Sequence, residues 1–234
     1  MKVYIIHVSD HAEREVHIRK QIEGRDLSPV FINRGDIKDL TPSVMEKYFT
    51  GEMADVAAPA SCAYKHILAC AEINRQEDDL VMILEDDMFL YRNFSRIVKK
   101  ILKEVENKKI QNFILSLEDS TLKYIPRSKR KKTQLVYRET RGRTTGAYLI
   151  DKKGAGSLLR ALETEKMEKP IGWFHNKCVE SGKINMFWSQ PAVCCQGSFD
   201  GSMKSLISEK KLTVFRPLTF RIQKIYKKFL YEMR

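Results

Sequence analysis

The stretch Leu80–Asp87, LVMILEDD, decides how this chain is read: five apolar residues run straight into three acids. An unbroken apolar run fits a strand buried on both faces, as in a sheet covered by helices, better than a half-exposed strand. Asn112–Leu117 (NFILSL) has the same character and runs into Glu118-Asp119. Working outward, Val3–Val8 (VYIIHV), Val30–Ile32, Gln134–Tyr137 and Gly146–Ile150 (GAYLI) read as further strands. Helices are expected from a cap at Asp10 to about Ile22, with Val16, Ile18 and Ile22 as apolar positions. Others are expected after Thr41-Pro42, over Ala60–Arg75, from Phe94 to about Glu106, and from near Lys152. Strands alternating with helices at this spacing predict an α/β layered domain with a mostly parallel sheet.

Composition agrees with a globular chain. Its 234 residues are 43% hydrophobic and 31% charged, which excludes collagen-like, low-complexity and wholly disordered classes. The net charge of +12 is concentrated. Residues 127–143 carry eight basic side chains and one acidic, and residues 209–234 carry eight basic and two acidic. The rest of the chain is nearly neutral, so this is a neutral globule with two positive patches. Five cysteines without a C-x-x-C pair argue against a disulfide scaffold or a zinc ribbon. The opening apolar run is too short for a signal-peptide core, and no stretch approaches a membrane span, so the default compartment is cytoplasmic with a membrane surface allowed.

Two regions carry chemistry. In open α/β sheets ligands bind beyond the carboxyl ends of the strands, where both acid clusters fall. Three consecutive acids repel one another, and oxygen-only ligands favour Mg²⁺ or Mn²⁺, a usual grip on a diphosphate. An isolated acidic triplet also serves as a plain solvated turn. At the other end, Leu218, Ile222, Ile225, Phe229 and Met233 recur at helical spacing among Arg221, Lys224, Lys227 and Lys228. That is a basic amphipathic helix suited to anionic lipid.

The ordered set of segments resembles glycosyltransferase family 25, the bacterial lipooligosaccharide β-galactosyltransferases and their relatives. The matching pieces are MKVYIIHVSDHAEREVHI, APASCAYKHILA, LVMILEDDMFL, FILSLED, TTGAYLIDKKGA and QPAVCCQ, from residue 1 to about 200. The resemblance implies a GT-A nucleotide-diphospho-sugar transferase fold over residues 1–208, followed by the basic tail, 209–234. It further implies a UDP-sugar donor, most often UDP-galactose, and transfer with inversion. The loop after the first strand (Ile6, His7, Val8) would cradle uridine, with Arg14 at the nucleotide. Asp87 would bind Mn²⁺ or Mg²⁺ bridging the phosphates, and Glu85 is placed on the metal, the ribose or the donor sugar, with Asp86 as its alternative at the sugar. The candidates for the base that takes the acceptor's proton are Glu118, Asp119 and Asp200, in that order. His66, one helical turn after Cys62, is either a ligand contact or a core histidine, and Gln196 either a sugar contact or a loop hydrogen bond. Gly146 is small enough to let the backbone approach a substrate.

Some positions depart from the family pattern. Many relatives carry aspartate where this chain has Gly172, serine where it has Lys65, and an acid where it has Ala60. Trp173 and Phe174 are either sugar-stacking or core residues. The expected partners are the UDP-sugar, a lipooligosaccharide or related glycan acceptor drawn in by the 127–143 patch, and an anionic inner-membrane face under the tail. A homodimer is the default for a soluble protein. A nucleic-acid-binding protein and a catalytically inactive relative are the rival classes; no nucleic-acid motif is present.

Overall fold

The computed structural model describes residues 1–207 and 215–234. The expected boundary at 208/209 lies outside the described residues. A seven-stranded sheet forms the centre, in the spatial order β2-β1-β3-β7-β5-β8-β6. Its strands are β1 (Lys2–Ile6), β2 (Ser28–Ile32), β3 (Leu80–Glu85), β5 (Phe113–Ser116), β6 (Val136–Glu139), β7 (Ala147–Asp151) and β8 (Asn185–Ser189). The short strands β4 (Met88–Leu90) and β9 (Cys194–Gln196) pair antiparallel beside it. In the main sheet β2, β1, β3, β5 and β8 run one way, and β7 and β6 run against them. The sheet is therefore mixed and mostly parallel, as expected.

Strand side chains alternate between two helical layers, which is why the apolar runs are continuous. Tyr4, Ile6, Val81 and Ile83 face α3 (Ala58–Arg75), α5 (Lys152–Thr164) and α6 (Ile171–Glu180). Val3, Ile5, Met82 and Leu84 face α1 (Ala12–Ile22) and α4 (Phe94–Asn107). Among the described residues the remaining α-helices are α2 (Pro42–Tyr48), the single turn α7 (Gly197–Asp200) and α8 (Arg216–Met233). Thr41 caps α2 as expected, its hydroxyl accepting from Val44 N at 3.4 Å. Asp10 does not cap α1, whose N-cap position is His11 without a side-chain bond, and Val16 is exposed. The sequence reading does not anticipate helix α6 or strand β8, although Ile171, Phe174 and Cys178 stand at helical spacing and Ile184, Met186 and Trp188 alternate.

The 127–143 patch is not one exposed loop. Arg138 lies in β6 and Arg143 is buried, while 127–132 folds against the end of α8. There Ser128 N donates to Arg234 O at 3.3 Å and Arg130 pairs with Glu232. The two positive segments thus meet on one surface. Helix α8 packs through Phe220, which joins Leu122, Tyr124 and Cys195, and through Lys224, whose Nζ lies 2.7 Å from Asp119. The predicted apolar stripe faces outward: Leu218, Ile222, Ile225, Phe229 and Met233 are 57–71% exposed. Among the described residues no helix is long and apolar enough to cross a membrane.

Candidate active site

The carboxyl ends of β1 and β3 lie side by side, so the loop after β1 and the acids after β3 share one edge. Because β7 runs antiparallel between β3 and β5, its leading residues Thr144–Gly146 enter the same edge between the two acid clusters. Two cavities open there. Cavity 1, about 410 Å³, lies between the β1–α1 loop, the start of α3 and Glu85–Asp87. Cavity 2, about 450 Å³, lies between Arg141–Thr145 and the first turn of α6. Both have Cys62, Glu85, Gln196, Phe199 and Ile207 on their walls. Glu85 is the one carboxylate on both, among the described residues.

The three acids have different duties. Asp86 is committed to the protein: it accepts from Arg14 Nη1 at 2.7 Å and pairs with His7 Nδ1 at 2.9 Å. Burial pushes its carboxyl up, but His7 and Arg14 outweigh that and hold it below its ordinary range. Asp87 has only long contacts, from Ser198 N at 3.3 Å and Gln196 Nε2 at 3.5 Å. Burial, then the charge of Glu85, raises it to about 6. Glu85 accepts from Thr145 Oγ1 at 3.0 Å and from Gln196 Nε2 at 2.8 Å, and burial raises it to about 7. One amide nitrogen reaches both Glu85 and Asp87, so these carboxylates converge. Two under-compensated oxygen donors at one point fit a hard divalent cation, whose charge would offset the burial that lifts both pKa values.

A second donor set is softer. Ligand atoms of Cys62, His66 and Glu85 lie within 4.8 Å of one another. Thiol and imidazole suit zinc rather than Mg²⁺ or Mn²⁺. His66 is fully buried, its Nδ1 2.9 Å from Tyr148 Oη and its Nε2 3.4 Å from Glu85, and burial lowers it to about 3, which keeps the ring neutral. It stands behind Glu85 and on neither cavity wall.

Cavity 1 gathers Ile6, His7, Val8, Arg14, the three acids and Gln196. The three candidate bases fall outside both cavities. Glu118 is fully buried: its carboxylate accepts from Gly146 N at 3.0 Å, Ala147 N at 3.4 Å and the hydroxyls of Ser120 and Thr144. It ties the start of β7 to the end of β5. Asp119 binds Tyr91 Oη at 2.6 Å, Tyr124 Oη at 3.1 Å and Lys224, fastening α8. Asp200 closes its own turn by accepting from Ser202 N at 2.8 Å. Gly146 makes room for protein rather than substrate, since a Cβ there would lie 2.6 Å from Gln196 Cγ and Cδ. Lys65 has a structural use: its buried ammonium bonds Asp36 at 2.9 Å and the Ile32 and Arg34 carbonyls. Trp173 is 56% exposed on the wall of cavity 2, and Phe174 is core. Sequence reasoning misses Thr145, which orients Glu85, and Arg143; both sit inside segments that show only charge or a strand entry.

A mixed α/β sheet with a carboxylate-lined cavity at its strand ends, and a second cavity sharing a wall with it, is a GT-A-like fold. The profile of glycosyltransferase family 25 (LPS biosynthesis protein) matches residues 1–171, and the chain belongs to that family. It is a glycosyltransferase of lipopolysaccharide biosynthesis. Comparison with curated proteins finds no match.

Proposed function

We propose that this chain transfers a hexose from a UDP-sugar, with UDP-galactose the first donor to test, to a lipid-linked glycan by single displacement with inversion. The observation that carries this reading is the meeting of the two cavities at Glu85. Cavity 1 takes the nucleotide, with the β1–α1 loop around the base and ribose and Arg14 beside the diphosphate. Cavity 2 takes the acceptor. Asp87 would hold Mn²⁺ or Mg²⁺, whose charge would offset that which gathers on departing UDP. The acceptor hydroxyl attacks the anomeric carbon, the bond from that carbon to the diphosphate oxygen breaks, and a carboxylate takes the hydroxyl proton. Glu85 is the group on the acceptor side that can take it, which leaves Asp87 as the cation's own residue. Thr145 and Gln196 fix its orientation.

The test is donor hydrolysis by the purified protein against a panel of UDP-sugars, with Mn²⁺ and with chelator. Metal-dependent turnover of one donor is expected and names the sugar. Absence of both turnover and UDP binding would sink the assignment.

The outward stripe of α8 supports a second element of the reading, attachment to an anionic membrane surface. Helical geometry puts Arg221 and Lys228 along one flank of the stripe, and the 127–132 loop extends the positive surface. Apolar side chains among the acyl chains with lysine and arginine among headgroups is the interfacial arrangement. Sedimentation with phosphatidylglycerol vesicles should carry the protein down, and Ile222→Glu with Phe229→Glu should leave it in solution. Concentration-dependent dimerisation lost in the same variant, without vesicle binding, would assign the stripe to a second copy instead.

A further inference from the structure

Cavity 2 has hydrogen-bonding capacity that the protein itself does not use. Four buried atoms on its lining residues lack a partner: Arg143 Nε and Nη2, His175 Nε2 and Ser116 Oγ. Buried polar groups are nearly always paired, and an unpaired edge on a buried cation is the costliest kind to leave. Arg143 is 5% exposed. Its Nη1 donates to the carbonyls of Glu118 at 2.7 Å and Ser189 at 3.1 Å, and its guanidinium lies 4.6 Å from the Trp188 ring centroid. Two carbonyls and a stacked ring fix the plane of the guanidinium. The free atoms, Nε and Nη2, form one edge of the fork, the edge that takes a carboxylate or phosphate through two parallel bonds.

The nearest acids do not use that edge. Glu118 and Asp119 are occupied by the donors described above. Lys123 and Arg141 also line cavity 2, and among the described residues Glu85 at the junction is its one carboxylate. The first turn of α6, including Ile171 and Gly172, forms part of the wall, and the start of a helix favours negative charge.

We infer that cavity 2 is a subsite for an anionic sugar, whose carboxylate or phosphate is held by the Arg143 fork. His175 Nε2 and Ser116 Oγ are left for its hydroxyls, and the exposed face of Trp173 for its ring. In the transferase reading, on which its role as acceptor site rests, the acceptor glycan carries an acidic residue at or next to the sugar that is extended. Binding itself does not depend on that reading.

The experiment compares glucuronate, glucose 6-phosphate and glucose as ligands of the full chain by calorimetry at constant ionic strength, with UDP binding followed in parallel. At least one anionic sugar should bind about tenfold more tightly than glucose, and which one does tells carboxylate from phosphate. Arg143→Lys keeps a charge, loses the fork and should lose the preference. Gly172→Asp covers the case in which Arg143→Lys does not fold. A Cβ at 172 meets only Thr145 Cγ2, at 3.7 Å, so the fold has room for the side chain, and its carboxylate should repel the anion. Gly172→Ala should bind as wild type. Equal binding of the three sugars, or anion binding indifferent to Gly172→Asp, overturns the inference. UDP binding intact alongside such a result leaves the transferase reading standing, whereas anion binding without UDP binding removes that reading and keeps the subsite.

Discussion

The acids after β3 and those after β5 look alike in sequence and have opposite surroundings. Glu85 and Asp87 lie on cavity walls with oxygens only partly satisfied. Glu118 and Asp119 lie under the same edge of the sheet, sealed by hydroxyls, backbone N–H groups and Lys224. The difference comes from the segment each strand leads into. After β3 the chain turns back at once into β4 and leaves its acids at an open rim. After β5 it passes beneath β9 and α8, with Asp119 N donating to Cys194 O at 3.1 Å, so those acids became fasteners. A carboxylate at a strand end is chemistry only where the next segment leaves it uncovered.

The sharpest break between the clusters is at the open one. Glu85→Gln should cut transfer by roughly 10²–10⁴, the usual worth of a positioned base, while metal-dependent UDP binding persists. Asp87→Ala should lose the metal-dependent part of UDP binding, read by calorimetry with Mn²⁺ and with chelator. Should Glu85→Gln lose that part as well, Glu85 is a metal ligand and the proton goes elsewhere.

At the closed cluster the expected losses are in stability. Asp119→Asn leaves Lys224 without its counter-charge under α8, and breaking a buried ion pair costs about 3–5 kcal/mol. Lys224 keeps partial access to water, with 18% of its side chain exposed, so the lower end is expected here. Denaturant unfolding should show the loss while UDP affinity at the site stays unchanged. A variant of wild-type stability that had lost turnover would return Asp119 to the catalytic candidates.

The contrast also shows how far the sequence can be read. LVMIL, NFILSL and VYIIHV mark buried strands because helices on both faces make nearly every position apolar, and the alternation of such strands with helices points to a mostly parallel sheet. In cavity 1, Glu85, Asp86 and Asp87 are legible because they end an apolar strand, whereas Ile6, His7, Val8, Arg14 and Gln196 come only from the family resemblance, and lining residues such as Ile37, Ser61, Phe199 and Ile207 carry no signal. The roles of Glu118 and Asp119 are not legible, because their partners, Thr144, Ala147, Tyr91 and Lys224, are distant in sequence and only β7 and α8 bring them near. Arg143 reads as surface charge for the same reason: its burial depends on Trp188 and Ser189 of β8, about 45 residues further along the chain.

The smallest effect separates the clusters by pH. Burial raises Glu118 to about 7, with the Ser120 and Thr144 hydrogen bonds opposing. A carboxyl whose folded pKa exceeds its unfolded value of 4.5 stabilises the fold fully below that lower value, and the contribution fades as pH rises through about 7. Glu85 and Asp87 act in the same direction, so wild type alone cannot isolate one group. Glu118→Gln removes the titration and keeps an oxygen for the Gly146 and Ala147 N–H groups. The melting temperature of wild type relative to Glu118→Gln should therefore fall between about pH 4.5 and about pH 7, a window set by those two pKa values. Transfer activity at fixed pH should stay within several-fold in the variant, because Glu118 touches neither cavity. A flat difference would mean that the carboxylate is ionised throughout and that its four donors outweigh burial. A collapse of kcat with stability preserved would mean that the sealed cluster is the reactive one and the comparison has been drawn the wrong way round.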